Sequence, residues 1–163
     1  MDVPTSVRSG QLPGPWRDAF FVDLPLQARS KSNFRRHRTG DGHWDALAGF
    51  ESDVAALVAP QVPSDWDPGR PDDPIARRPA FVALVAARTL LDVSNLSKSV
   101  LDALEGIVYV TDAQVVAETS LSERGRSDQW LSVAFARLDR PRTLLEVTAA
   151  ASALVTAWGA RGR

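Results

Sequence analysis

Residues 80–120 read AFVALVAARTLLDVSNLSKSVLDALEGIVYVTDAQVVAETS, and the hydrophobic period changes repeatedly along this stretch. Ala80 to Ala87 is an almost unbroken apolar run, short and rich in Val and Leu, which predicts a strand buried on both faces. After a turn over Arg88 to Asp92, Leu96, Val100, Leu101 and Leu104 recur at spacings of three and four. That spacing predicts a helix over Asn95 to Leu104, with Gly106 placed to stop it. Ile107 to Val110 and Val115 to Ser120 predict two further strands flanking Thr111-Asp112-Ala113-Gln114. Strand and helix patterns so closely interleaved imply a small β-sheet packed with helices, an α+β fold.

Working outward, Ala19 to Leu24 predicts a first strand ended by Pro25. Trp44, Leu47, Phe50, Val54, Leu57 and Val58 predict an amphipathic helix from His43, with Pro60 at its end. Residues 60–79 hold six prolines and predict an irregular connection with no core of its own. Beyond the polar turn Glu123 to Asp128, Leu131, Val133 and Phe135 alternate as a strand. Pro141 then opens a last helix, with a stripe of Leu144, Val147, Ala151, Leu154, Val155 and Trp158. The expected organisation is a flexible leader over 1–16, one folded domain over 17–138 and an additional C-terminal helix over 139–163.

Composition narrows the classes. The apolar fraction of 44% and charged fraction of 24% are those of an ordinary globular chain, and with no cysteine there is no disulfide framework or thiolate metal site. No apolar run reaches the roughly 20 residues that span a bilayer, and the first residues do not read as a secretion signal, so a cytoplasmic protein without membrane contact is expected. The net charge of -1 conceals an uneven distribution. Arg29, Lys31, Arg35, Arg36 and Arg38 crowd into ten residues, whereas residues 41–75 hold eight acids against Arg70 alone. Lys31 and Lys98 are the only lysines among nineteen basic side chains.

Asp92 and Ser94 fall in the exit from the buried strand, Lys98 one turn into the next helix, and Asp112 between two later strands. Such residues are expected to converge at one strand end, where loops hold side chains on a rigid scaffold yet leave them open to ligand. Paired carboxylates hold hard divalent ions through oxygen, and a nearby lysine adds charge for phosphate chemistry.

The residues Leu91-Asp92-Val93-Ser94-Asn95-Leu96-Ser97-Lys98, then Leu101-Asp102-Ala103-Leu104, then Tyr109 to Val116 resemble the signature of RusA Holliday-junction resolvases, D-x-D-N-L-x-K, DAL and DDAQVV. A weaker likeness extends to the first strand, the basic segment Pro25 to Arg38 and the strand Leu131 to Phe135, about two-thirds of the chain in all; the last helix lies outside it. The resemblance implies a homodimeric endodeoxyribonuclease that cuts four-way or branched DNA by paired, metal-dependent incisions in recombination or repair. It places the family's metal-binding acids on Asp92 and Asp112, its lysine on Lys98 and its asparagine on Asn95. Magnesium is the expected ion, with manganese as an alternative, and Arg29, Lys31, Arg35, Arg36 and Arg38 are the expected contacts to DNA phosphates.

Two positions depart from the pattern. Ser94 stands where the family has its second acid, and Thr111 where it has the first Asp of the DD pair. A hydroxyl supplies neither the charge nor the bidentate reach of a carboxylate, so a junction-binding protein that cuts weakly or not at all is the alternative reading. Ser94 and Asn95, just ahead of an apolar helical run, are first read as N-caps of the helix. Asp102, four residues beyond Lys98 on the same face, is read first as that lysine's ion-pair partner and second as a substitute metal ligand; Glu118 is a weaker substitute.

Overall fold

A computed structural model describes residues 18–28, 42–125, 127–138 and 143–161, with side chains of the first helix from residue 48 onward. The basic segment containing Arg29, Lys31, Arg35, Arg36 and Arg38, the leader, and the residues around Pro141 lie outside the described residues. Strand β1 (Asp18–Leu24), helix α1 (Gly42–Val58), strand β2 (Ala80–Arg88), helix α2 (Val93–Leu104), strand β3 (Val115–Glu123), strand β4 (Trp130–Leu138) and helix α3 (Leu144–Gly159) follow in that order.

The four strands form one mixed sheet in the order β1-β4-β2-β3. β2 and β3 are parallel, with α2 as the crossover, while β4 runs antiparallel to both β1 and β2. β2 therefore has a neighbour on each side and a layer on each face, which is why its apolar run is unbroken: only Arg88 is less than buried.

The two faces are packed with side chains of different size. Phe20, Val22, Phe81, Val85, Val133 and Phe135 point to the face covered by α1 and α2, where they meet Phe50, Val54, Leu96, Val100 and Leu104. Ala19, Val82, Leu84, Ala134 and Ala136 point the other way, and these mostly small residues let the alanine-rich α3 lie close, through Val147, Ala150 and Leu154. α3 is fixed at both ends. At its start Thr143 and Glu146 form a capping box, and near its end Trp158 Nε1 donates to Ser132 Oγ at 3.0 Å and Arg161 pairs with Asp23 at 3.2 Å.

One expectation fails. Ile107 to Val110 does not form a strand: after Gly106, at φ +81°, the chain makes a tight turn that drives the consecutive residues Val108 and Tyr109 into the core, where a strand would turn them to opposite faces. The 60–79 connection is irregular, as expected, apart from 3-10 turns at Ala59–Gln61 and Ile75–Arg77, and it has no core of its own. It delivers Trp66, 8% exposed, to the centre of the larger core, edge-on to Phe20 at 4.7 Å and stacked near Phe81 at 5.5 Å. The Trp66 indole N–H donates to the Val108 carbonyl at 2.8 Å, fastening the connection to the turn after α2. Trp66→Phe keeps an aromatic ring but leaves that carbonyl unsatisfied, and is expected to cost about 1–3 kcal/mol in urea unfolding. A loss within roughly 0.5 kcal/mol of zero, the range of inert surface changes, would show that the bond contributes nothing.

Candidate functional site

Helix α2 begins one residue after Asp92, and Asp92 itself is the N-cap. Its Oδ1 accepts from the Ser94 backbone N–H at 3.0 Å and from Ser94 Oγ at 2.7 Å, and its Oδ2 accepts from Asn95 Nδ2 at 3.1 Å. The N-cap reading of Ser94 and Asn95 is thus displaced to Asp92. A carboxylate accepts from the free N–H groups of the first turn more strongly than a hydroxyl can, and both neighbours turn their side chains back as donors to it. The Ser94 hydroxyl, then the Ser94 amide, hold the Asp92 carboxyl below its ordinary value.

A carboxyl with a lowered folded-state pKa stabilises the fold above its unfolded value, near ~3.9, and that contribution is lost as pH falls through the lowered one. Ser94→Ala removes the largest cause. The carboxyl resonance of Asp92 followed by NMR should then titrate at higher pH than in the parent, and an unmoved titration would refute the assignment of the hydroxyl as the dominant donor.

Asp112 opens a 3-10 turn, Asp112–Gln114, that leads into β3. The turn is held by Gln114, buried, whose Oε1 accepts from Val110 and Thr111 N–H at 2.9 and 3.1 Å. Its Nε2 donates to the Pro68 and Pro79 carbonyls at 2.9 and 3.1 Å. All this capacity is used to brace the turn, so Gln114 positions Asp112, a role that sequence reasoning missed. The signal lay in a lone Gln between apolar residues, next to a proline-rich segment able to offer carbonyls.

A surface pocket of about 300 Å³ is lined by Lys98, Leu101 and Asp102 from one face of α2, by Tyr109 and Asp112, and by Val115 and Glu118 of β3. Tyr109 is buried beneath, its hydroxyl donating to the Leu101 carbonyl. Burial first, and then the negative field of Glu105, Asp102, Asp112 and Glu118, pushes its pKa up. Glu118 reaches this face through an irregularity in β3: Phe81 pairs with Val115, but Val82 pairs with Ala117, leaving Val116 as an extra residue. Ala117 then packs toward α3, and Glu118 shares the α2 face with Val115. Lys98 forms no ion pair within 4.0 Å among the described residues, so the helical Lys98–Asp102 pair expected from the spacing is not formed.

Lys98, Asp102 and Asp112 are thus brought together, with Glu118 added, but Asp92 does not line the pocket. The expected convergence at one strand end is not met within the chain. Asp92 follows the C-terminal end of β2, Asp112 precedes the N-terminal end of β3, and the two strands are parallel, so these acids lie toward opposite ends of the sheet. Asp92 and Asp102 are about 15 Å apart along α2 at the usual helical rise.

By donor type the pocket suits a hard divalent ion, since its acids offer oxygen alone. Among the described residues no three acids or histidines gather closely enough to form a metal cage. Magnesium does not demand one: it keeps several waters and is commonly held by one or two carboxylates together with substrate phosphates, which Asp112 with a pocket neighbour could provide. Among the described residues no helix is long and apolar enough to cross a membrane.

No curated protein matches the chain. The family model described as endodeoxyribonuclease RusA matches residues 47–129, from within α1 to the turn before β4. The match stops short of β1, the basic segment and β4, to which the weaker resemblance had extended, and it contains Asp92, Ser94, Lys98, Asp102, Asp112 and Glu118. Because that span covers slightly more than half of the 163 residues and includes both acids, the lysine and the whole pocket, the chain belongs to the RusA endodeoxyribonuclease family.

Proposed function

We propose that the protein is a homodimeric endonuclease for four-way or branched DNA, dependent on magnesium or manganese, with Asp92 and Asp112 as metal ligands and Lys98 as electrostatic support. The observation that carries this reading is the shared pocket of Lys98, Asp102, Asp112 and Glu118 in a chain of the RusA family. When bound, a divalent ion supplies an activated water and charge neutralisation at the phosphoryl oxygens. The chain's own residues have separate tasks. Asp112, Asp102 and Glu118 make a negative basin that attracts the cation, while Lys98 at its rim offsets their repulsion of an incoming phosphodiester. Gln114 keeps the Asp112 turn in place. Arg29, Lys31, Arg35, Arg36 and Arg38 contact backbone phosphates, giving affinity that falls with salt and carries little sequence information.

The test is incubation of the purified chain with a synthetic four-way junction across a titration of magnesium and of manganese. Paired incisions that vanish with chelator support the proposal; binding with no incision at any metal concentration counts against it. One observation favours a second reading, a junction-binding protein that cuts weakly: Ser94 donates to Asp92 where the family pattern has another acid, and three of the acceptor positions on Asp92 are already engaged.

A further inference from the structure

We propose that the cleft between the end of α3, the end of β3 and the start of β4 holds one unpaired base of the DNA, guanine above the others. The inference rests on the nuclease reading for the presence of DNA; the cleft is separate from the pocket of Lys98 and Asp112.

Leu121, Ser122 and Glu123 of β3, Trp130 of β4, and Trp158 and Gly159 of α3 line a surface pocket of about 390 Å³, large enough for one base. Both tryptophans lie beyond the residues that match the family, so the aromatic wall of this pocket is not part of the shared site. Their rings stand 6.1 Å apart at 40° to each other. That is too close and too tilted for a sandwich, so a base stacks on one ring and meets the edge of the other. Trp158 is held in place: its indole N–H donates to Ser132 Oγ at 3.0 Å, and Ser132 donates in turn to Asp23 at 2.6 Å.

Glu123 is the only charged side chain among the described lining residues, and Arg88 already neutralises it through Oε1 at 2.8 Å. A free cation finds no spare negative charge there. A base does find an acceptor, because Oε2 and the second lone pair of Oε1 are left for N–H groups. The carboxylate is also steadied, since Gly125 lies so close to its Arg88 partner that a Cβ there would come within 2.9 Å of Arg88 Nε. Guanine presents two adjacent N–H donors, which a carboxylate accepts as a pair, whereas thymine presents a single ring N–H. For the backbone, Arg124 follows Glu123, is exposed, and makes no ion pair within 4.0 Å among the described residues, which suits the phosphate of the same strand.

The pocket lies at the sheet end that carries Asp92. Glu123 pairs with Arg88 in the parallel register of β2 and β3, and the Thr89 N–H donates to the Glu123 carbonyl at 2.9 Å. Asp92 follows Arg88 by four residues, at most about 14 Å of extended chain. A strand whose phosphate meets Asp92 can therefore leave a nearby base in the pocket, and a base already unpaired at a branch point costs least to place there.

The probes are two single-stranded trinucleotides, one with guanine between thymines and one all thymine, added to the full chain without metal while the tryptophan indole resonances are followed by NMR. The guanine probe is expected to shift Trp130 and Trp158, to leave the buried Trp66 unmoved, and to bind about 5- to 150-fold more tightly than the all-thymine probe, the discrimination of one good paired contact. Glu123→Gln should erase that preference. Trp130→Leu should weaken both probes by about 5- to 150-fold, the effect of one stacked base. Glu123 is more than half exposed, so its variant keeps the test open if Trp130→Leu does not fold. Unmoved indoles, equal affinity for the two probes, or a preference that survives Glu123→Gln overturns the proposal. A chain that cuts junctions yet ignores the guanine probe loses the pocket and keeps the nuclease reading. One that takes the probe between Trp130 and Trp158 but neither binds nor cuts a junction keeps the pocket and counts against the nuclease reading instead.

Discussion

Asp112→Asn is expected to reduce junction cleavage at least ~100-fold, beyond the ~10- to 100-fold typical of losing an outer partner of a metal. The substitution keeps the shape of the side chain and removes its charge. Folding should hardly notice, because Asp112 is exposed and its turn is held by Gln114; the bond it receives from Thr111 Oγ1, at 3.3 Å, is long. Thermal melting and junction binding by gel shift should therefore match the parent while incision is lost. Cleavage within about tenfold of the parent would remove Asp112 from the set of ligands.

Ser94→Asp is expected to move metal affinity the other way, by about 10- to 100-fold, and cleavage with it if the missing acid limits activity. Without metal the change should be unfavourable. Ser94 Oγ now donates to Asp92 Oδ1; an aspartate there replaces a donor with a second negative charge and raises the pKa of its neighbour. The variant should melt at lower temperature than the parent without metal and recover or exceed it when magnesium is added, because a ligand that binds only the folded state stabilises it. Melting curves with and without magnesium separate this account from its rival. Identical curves for parent and variant in both conditions would mean that position 94 faces no ion.

The parts of the fold decided by local periodicity were legible in the sequence. β2 announced itself as an apolar run because it is covered on every side, and α2 by a stripe that matches its buried face; the stripe read for α3 holds at Val147 and Leu154, but Leu144, its first member, is 81% exposed and the buried Ala150 was not in it. Ile107 to Val110 misled because an apolar tetrapeptide satisfies a strand and a buried turn equally, and contacts distant from it, the Trp66 indole on the Val108 carbonyl and the Tyr109 hydroxyl on the Leu101 carbonyl, go with the turn. Trp66 was invisible for the opposite reason: one aromatic among prolines has no period, and its place is set by Phe20 and Phe81, distant in sequence. In the site, Lys98, Asp102 and Asp112 could be found from spacing and resemblance. Their separation from Asp92 could not, since it depends on β2 and β3 being parallel, a fact of pairing rather than of either strand.

The extra residue at Val116 also affects how related chains should be compared. Before it Val115 faces the α2 layer; after it Ala117 and Leu121 face α3 and the even-numbered Glu118 faces the α2 side. A relative lacking one residue here would align almost perfectly by identity and yet carry its Glu118 equivalent on the wrong side of the sheet. In this strand a single-residue gap therefore outweighs several substitutions, and an acid should be credited to the site only after its parity relative to Val115, with the extra residue allowed for, has been counted.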